Sequence, residues 1–390
     1  MIIFVTSVKM IAMKKLSMVD LHGQYLRIKP EIDDAIQRVL DSAVFVKGAE
    51  VKEFETELAN YLGVKHVIAC GNGTDALQIC LMALGLKPGD EVITPDFTFI
   101  STVEVSALLG FRPVLVDVEP GTFNINVRSL EKAITKKTRA IIPVHLFGQC
   151  SNMEEIMGIA NKHGIAVIED VAQALSSDYT FRNGKKVKAG SMGLMACTSF
   201  FPSKNLGCFG DGGAMMTNDS ELASTLSAIT HHGMRRRYYY DMTGVNSRLD
   251  NIQAAILRVK LKYLDEYSAA RNAAATWYDK TLSGIKGLTI PERSSFTNHV
   301  FHQYTLKLNG IDRAALMKYL DSKGIPSMVY YPFPCHIQKA FEYLGYQKGD
   351  FPVSEKLCET VISLPMHTEL DEEQLVYITG QIIAYINSPS

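Results

Sequence analysis

The chain has 390 residues, enough to bury a large core and to divide into two domains. Its 47% hydrophobic and 21% charged content is ordinary for a soluble globular protein. A formal net charge of −1 argues against nucleic acid and against a strongly basic membrane surface as partners. The seven cysteines form no CxxC pair and no framework spacing, which reads as reduced thiols of a cytoplasmic protein, and no metal site is suggested. Residues 1–8 are apolar but too short for a membrane span. They lack the basic start and the small-residue cleavage site of a signal peptide.

In chain order, Ile32, Ile36, Val39 and Leu40 recur at helical spacing over 30–43, and a second helix is expected over 50–62, stopped by Gly63. The segment 43–48 between them reads as a loop. A short strand at 66–70 runs through Gly71-Asn72-Gly73-Thr74-Asp75 into a helix over 76–84. Such a turn offers free N–H groups and a positive dipole end to a phosphate, or is a plain helix cap. A strand at 91–94 leads to Pro95-Asp96-Phe97-Thr98-Phe99, whose last aromatic can stack on a flat ligand or pack in the core. Strands are expected at 113–117, 140–144, 164–170, 196–201 and 214–217, which with the earlier two gives about seven. They alternate with helical segments. The fold class is therefore α/β, a mostly parallel sheet with helices on both faces, followed by a smaller α+β domain. His145 reads as a structural loop histidine. The polar stretch 178–190 reads as a surface excursion, and 251–267 as one long helix. In the last part, 300–308 and 326–331 read as strands around a helix over 313–323. His302, Gln303 and His336 either face a site or pair with the backbone.

Two motifs carry chemistry. Lys204 sits in Ser199-Phe-Phe-Pro-Ser-Lys-Asn-Leu-Gly207, between a strand and the glycines Gly207, Gly210, Gly212 and Gly213. By itself it reads either as a surface lysine or as a desolvated one, whose lowered pKa frees a neutral amine to form a Schiff base. Upstream, an apolar strand ends in Glu169-Asp170, where parallel α/β sheets bind ligands. A carboxylate there can simply cap a helix, or it can keep a pyridine nitrogen protonated, as pyridoxal phosphate needs to act as an electron sink. Gln173, one helical turn on, can reach the same cofactor. The pair of motifs is far more specific than either half.

These stretches, with Asn72-Gly-Thr-Asp-Ala-Leu77, Pro95 to Phe99, Gly210-Asp-Gly-Gly213 and Gly244-x-Asn-Ser-Arg-Leu-Asp250, resemble the DegT/DnrJ/EryC1/StrS sugar-nucleotide aminotransferases. That family has the fold type I of pyridoxal phosphate enzymes. The resemblance begins near Val19. It implies an extension over 1–18, a cofactor-binding domain over 19–267 and a small domain over 268–390. It also implies pyridoxal 5′-phosphate on Lys204, with pyridoxamine phosphate as the alternate form, and Asp170 on the ring nitrogen. Gly73, Thr74, Phe99, Gln173, Ser199 and Asn246 would be further cofactor contacts. Ala43, Phe45, Ser203, Arg248, Tyr330 and Tyr331 would meet the substrate. Relatives often carry Gly and Tyr where Ala43 and Phe45 stand. Asn246 and Arg248 match residues that family members donate across a homodimer with shared sites. The basic aromatic run His231 to Tyr240 is either a solvated loop or one that holds a nucleotide diphosphate across that interface.

The implied reaction is transamination of a 3-oxo sugar nucleotide, with glutamate as donor, in polysaccharide biosynthesis. UDP-2-acetamido-2-deoxy-3-oxo-glucuronate is the first choice of substrate and a dTDP-3-oxo-6-deoxyhexose the alternative. Related dehydratases replace the lysine with histidine, so Lys204 argues against that activity. The intact Lys204, Asp170, Gln173, Ser199 and Asn246 argue against a regulatory protein without turnover.

Overall fold

A computed structural model describes residues 15–388. The expected N-terminal extension therefore falls outside the described residues up to position 14. Leu16, by contrast, is buried in the core of the C-terminal part, and the Met18 carbonyl accepts from Met366 N at 3.2 Å.

The central sheet is built from β1 (His66–Cys70), β2 (Glu91–Pro95), β3 (Arg112–Val116), β4 (Thr138–Ile141) and β5 (Ala166–Asp170). After a hairpin of β6 (Asp178–Thr180) and β7 (Lys186–Lys188), β8 (Met195–Ser199) and β9 (Gly213–Thr217) complete it. Its order is β1-β9-β8-β5-β4-β2-β3. Strands β3, β2, β4, β5 and β8 are parallel, and β9 runs against both β8 and β1. Side chains alternate between two apolar layers, as a two-residue period requires. Val67, Ala69 and Val167 pack with the helices Ala49–Leu62, Met153–His163 and Asn251–Leu261. Ile68, Cys70 and Ile168 pack with Gly73–Ala83 and Ser220–Ile229 on the other face. The mostly parallel, doubly covered sheet expected from the sequence is the observed one. Because the parallel strands point the same way, Pro95, Asp170 and Ser199 end at one edge of the sheet, as does Cys70 of β1.

The C-terminal part has its own core between the helices Leu264–Leu282, Arg313–Ser322 and Glu372–Asn387 and a three-stranded antiparallel sheet. Four expectations change here. The 251–267 helix is two helices, Asn251–Leu261 and Leu264–Leu282, separated by tight bonds from Lys262 N to Val259 O and from Tyr263 N to Lys260 O. The strand expected at 300–308 is regular only over Tyr304–Leu308, because Phe301 adopts φ 45°. The segment 326–331 is no strand: its only bridge is Met328 to Ser363, so it reaches the sheet at a single point. The 178–190 excursion is the β6–β7 hairpin, and it buries Tyr179 in the main core. The seven cysteines are all unpaired and buried. Among the described residues, no helix is long and apolar enough to cross a membrane.

Candidate active site

The strand ends enclose a cavity of about 630 Å³. At the end of β1, Asn72 caps the Gly73–Ala83 helix by accepting from Asp75 N at 2.8 Å. The N–H groups of Gly73 and Thr74 then lie in the first turn, where the helix offers them no acceptor. Gly73 has to be glycine: a Cβ there would lie 2.6 Å from the Cβ of Ser199, at the end of β8. Close approach of these two motifs forms one end of the cavity. The turn after β8 carries Lys204, whose N–H donates to Phe201 O at 2.8 Å. Gly207 holds that turn closed, since a Cβ would meet Pro202 O at 2.3 Å.

Neighbouring carboxylates of β5 point to opposite sides and do different work. Glu169 is wholly buried and structural. Its Oε1 accepts from Met192 N and Gly193 N, each at 2.7 Å, and its Oε2 accepts from Gly190 N at 3.0 Å and meets His145 Nε2 at 3.0 Å. Ser151 N donates to His145 Nδ1, which leaves Nε2 to carry the proton toward Glu169. His145 is thus the structural loop histidine the sequence suggested. Asp170 faces the cavity. Its Oδ1 accepts from Ala172 N at 3.0 Å and its Oδ2 from the Thr102 hydroxyl at 3.4 Å.

Burial lowers the Lys204 pKa to about 8, opposed by the charge of Asp170. The side chain keeps some accessible surface because it opens on the cavity, yet protein encloses it on all sides. Burial raises Asp170, against the pull of the Ala172 N–H, Lys204 and His145. The cavity therefore stores a lysine ready to be neutral and a carboxylate whose raised pKa a cationic ligand would bring down. Gln173 is held by both ends of its amide: Oε1 accepts from Phe147 N at 2.7 Å and Nε2 donates to the Tyr331 hydroxyl at 3.1 Å. Among the described residues no group of histidine, cysteine and carboxylate side chains converges as a metal site.

The DegT/DnrJ/EryC1/StrS aminotransferase family matches residues 26–383. The chain belongs to this family. It is 46% identical over 370 residues to a Geobacillus stearothermophilus protein named a pleiotropic regulatory protein, covering 94% of this chain and 98% of that one. It is 46% identical over 364 residues to the UDP-2-acetamido-2-deoxy-3-oxo-D-glucuronate aminotransferase of Pseudomonas aeruginosa, covering 93% and 98%. Among solved structures, S. venezuelae DesV in complex with a ketimine intermediate superposes with a TM-score of 0.92 at 36% identity, covering 97% of this chain and all of that one.

In this aminotransferase the cavity gathers Lys204, Asp170, Gly73, Thr74, Phe99, Gln173, Ser199, Ser203, Tyr330 and Tyr331. Phe99 is 53% exposed and offers a ring face, whereas Phe97 is buried in the core. Ala43, Phe45, Asn246 and Arg248 do not line it. They lie together on a neighbouring surface instead. Phe45 O accepts from Asn251 N, Val46 pairs with Asp250, and Asn246 pairs with His231. Burial first, and then the nearby charge of Arg248, lowers the pKa of both Lys47 and His231.

Two further lining residues, His302 and Gln303, were left undecided by the sequence between the site and the backbone. His302 is buried, its Nδ1 has no partner, and burial with the charges of Lys204 and Arg271 holds its pKa well below the ordinary value. The left-handed turn at Phe301 that carries it inward has no sequence signal, since Phe is not a turn residue. His336 does not reach the cavity; it is buried against Asp96. The basic aromatic run folds as a small hairpin of Met234–Arg236 and Tyr239–Tyr240, with Arg236 over the Tyr239 ring at 3.6 Å.

Proposed function

We propose that this aminotransferase binds pyridoxal 5′-phosphate, with pyridoxamine phosphate as the alternate form, and moves an amino group from an amino acid to a 3-oxo sugar nucleotide. The observation that carries the reading is one cavity holding both a desolvated lysine and a buried carboxylate, Lys204 and Asp170. The residues fit the cofactor. The Gly73–Ser199 contact leaves a cradle of free N–H groups and a hydroxyl suited to a phosphate. Phe99 offers a face to a flat ring, and a protonated ring nitrogen would cancel the burial cost of Asp170. The cofactor supplies the electron sink that side chains lack.

The chain's own groups do the rest. Lys204 Nζ, its pKa lowered to about 8 by burial, would hold the cofactor and would be the group placed to move a proton at the reacting carbon. Asp170 Oδ keeps the ring nitrogen protonated. Gln173, oriented by Phe147 N, serves the ring oxygen. Tyr330, Tyr331 and Ser203 wall off the side where substrate enters.

The active unit is a homodimer with shared sites. The four expected contacts missing from the cavity sit side by side on one surface, as two-fold pairing requires. Asn246 then completes the partner's phosphate site, Arg248 meets the partner's substrate, and the Arg236–Tyr239 hairpin lies by the nucleotide diphosphate. Glutamate is the donor. Likeness to the P. aeruginosa enzyme favours a UDP-linked 3-oxo uronate, with a dTDP-3-oxo-6-deoxyhexose as runner-up. A purely regulatory role, as the Geobacillus relative's name suggests, has no use for a lysine held near pKa 8.

Borohydride reduction of the loaded protein tests this. The cofactor should be fixed on the peptide containing Lys204, and Lys204→Ala should lose both label and turnover. Label on another lysine, or turnover in the variant, would overturn it.

A further inference from the structure

One wall of the cavity is fastened by groups that take no part in the chemistry above. Tyr330 and Tyr331 line the cavity from a strap that continues into the short turn Cys335–Ile337. Thr98 and Phe99 line it from the segment that follows β2. The two segments meet at Asp96 and His336, both fully buried. His336 N donates to Asp96 Oδ1 at 2.7 Å, and His336 Nδ1 lies 2.8 Å from Asp96 Oδ2. Cys335 N donates to the Asp96 carbonyl at 3.2 Å. On the other side, His336 Nε2 lies 3.2 Å from Glu355 Oε1, in the first turn of the Pro352–Thr360 helix, without an aligned hydrogen bond.

A neutral imidazole has one N–H and can serve only one of these carboxylates; an imidazolium serves both. We propose that His336 is a positioning residue, a proton-operated latch that ties the Tyr330–Tyr331 strap to both Asp96 and Glu355 while doubly protonated, and that lets go of Glu355 and loosens the strap when a proton leaves. This rests on the reading of the cavity as the sugar-nucleotide site, because that strap is the wall the substrate would meet.

The surroundings agree. Burial opposes charge on His336, but Asp96 and Glu355 outweigh it and hold its pKa above the ordinary value. Burial raises Asp96 as well, so the pair keeps its proton to higher pH than a free histidine would. Asp117 also faces Asp96, but its carboxylate is engaged by Val353 N, Ser354 N and the Ser354 hydroxyl. Cys335, Cys358 and Tyr346 are all raised by burial and stay neutral. The Phe351 ring closes the last side edge-on at 4.9 Å. Because the folded pKa is raised, the latch is fully set below the ordinary pKa of about 6.5 and is released as pH climbs through the raised value.

The test is amide hydrogen exchange of the 328–338 peptide in the ligand-free protein between pH 6 and 9, corrected for intrinsic rate, beside KM and kcat for the nucleotide sugar. In the wild type, protection should fall about tenfold across the range and KM should rise, with kcat within about twofold. His336→Asn should show the low protection and high KM at every pH. Should that variant fail to fold, Glu355→Gln, at the rim, should move the midpoint to lower pH. Wild-type protection that is flat with pH, or a midpoint unmoved in Glu355→Gln, overturns the latch. The exchange readout needs no substrate. A pH-dependent strap in a protein that turns over no nucleotide sugar would therefore support the latch and refute the substrate reading separately.

Discussion

Gly73→Ala offers a direct perturbation of the phosphate cradle. The added Cβ would sit 2.6 Å from Ser199 Cβ, 3.1 Å from its Cα and 3.2 Å from its Oγ. Ordinary contact begins near 3.4 Å, so the helix start and the β8 end must part by about 0.8 Å. Neither is free to move: β8 is bonded to β5 and β9, and Gly213 on β9 is pressed against Asn72, where a Cβ would lie 2.3 Å from the carbonyl. Overpacking of this kind costs about 1–3 kcal/mol. Both displaced elements hold proposed phosphate contacts, and misplacement of about 1 Å costs about 100-fold in rate. Spectroscopic titration of the apoprotein should show cofactor binding about tenfold to 100-fold weaker, while thermal melts show a destabilised but cooperative fold. Gly158→Ala is the control. It lies inside the Met153–His163 helix with nothing within 4 Å of a new Cβ, and should stabilise by about 0.5–1 kcal/mol. Wild-type cofactor affinity in Gly73→Ala would refute the cradle.

Other outcomes follow from the same geometry. Lys204 has a folded pKa of about 8, depressed by burial, so between there and its ordinary value the unfolded chain binds more protons and stability rises with pH. Urea melts of the apoprotein should show Lys204→Met gaining up to about 3 kcal/mol over wild type at pH 8, and less at pH 10; a gap independent of pH would contradict this. Mixing Lys204→Ala chains with Asn246→Ala chains, each inactive alone, should restore activity by leaving one good site per mixed dimer. No recovery in demonstrated heterodimers would mean the sites are not shared. If Arg248 grips a substrate carboxylate, Arg248→Ala should cost roughly 3–5 kcal/mol with a 3-oxo uronate, about two to three decades or more in kcat/KM, and far less with a neutral 3-oxo sugar. Equal losses on both would show that it reads no carboxylate and would favour the runner-up substrate.

The parts of the site legible in the sequence are those set by local chemistry. Two strand ends mark Lys204 and Asp170 as a pair, and the glycine turns beside Lys204 and at Gly73 mark close backbone approach. Gln173 reaches the same cavity from a run of turns over 172–176, not from the helical turn expected of it. What stayed hidden depends on distant partners. No proline or glycine marks the break near Lys262; nearby Lys260 is drawn inside to Gly207 O at 2.6 Å, beneath the Lys204 turn. The aromatic 326–331 segment has strand composition, yet it finds only Ser363 to pair with and becomes the strap. His302 and His336 look alike in sequence; Phe301's left-handed turn sends one to the cavity, and Asp96 takes the other. Ala43, Phe45, Asn246 and Arg248 lie away from the cavity, a placement that the proposed homodimer would explain.

The most direct test of the account is a single-turnover measurement. The protein is loaded with pyridoxamine phosphate, mixed with a panel of UDP- and dTDP-linked 3-oxo and 4-oxo sugars, and followed by cofactor absorbance. The pyridoxal form should return rapidly with 3-oxo sugar nucleotides, fastest with the UDP-linked uronate, with no return for 4-oxo sugars and none in Lys204→Ala. Return with no sugar nucleotide at all, or an undiminished return in Lys204→Ala, would contradict it.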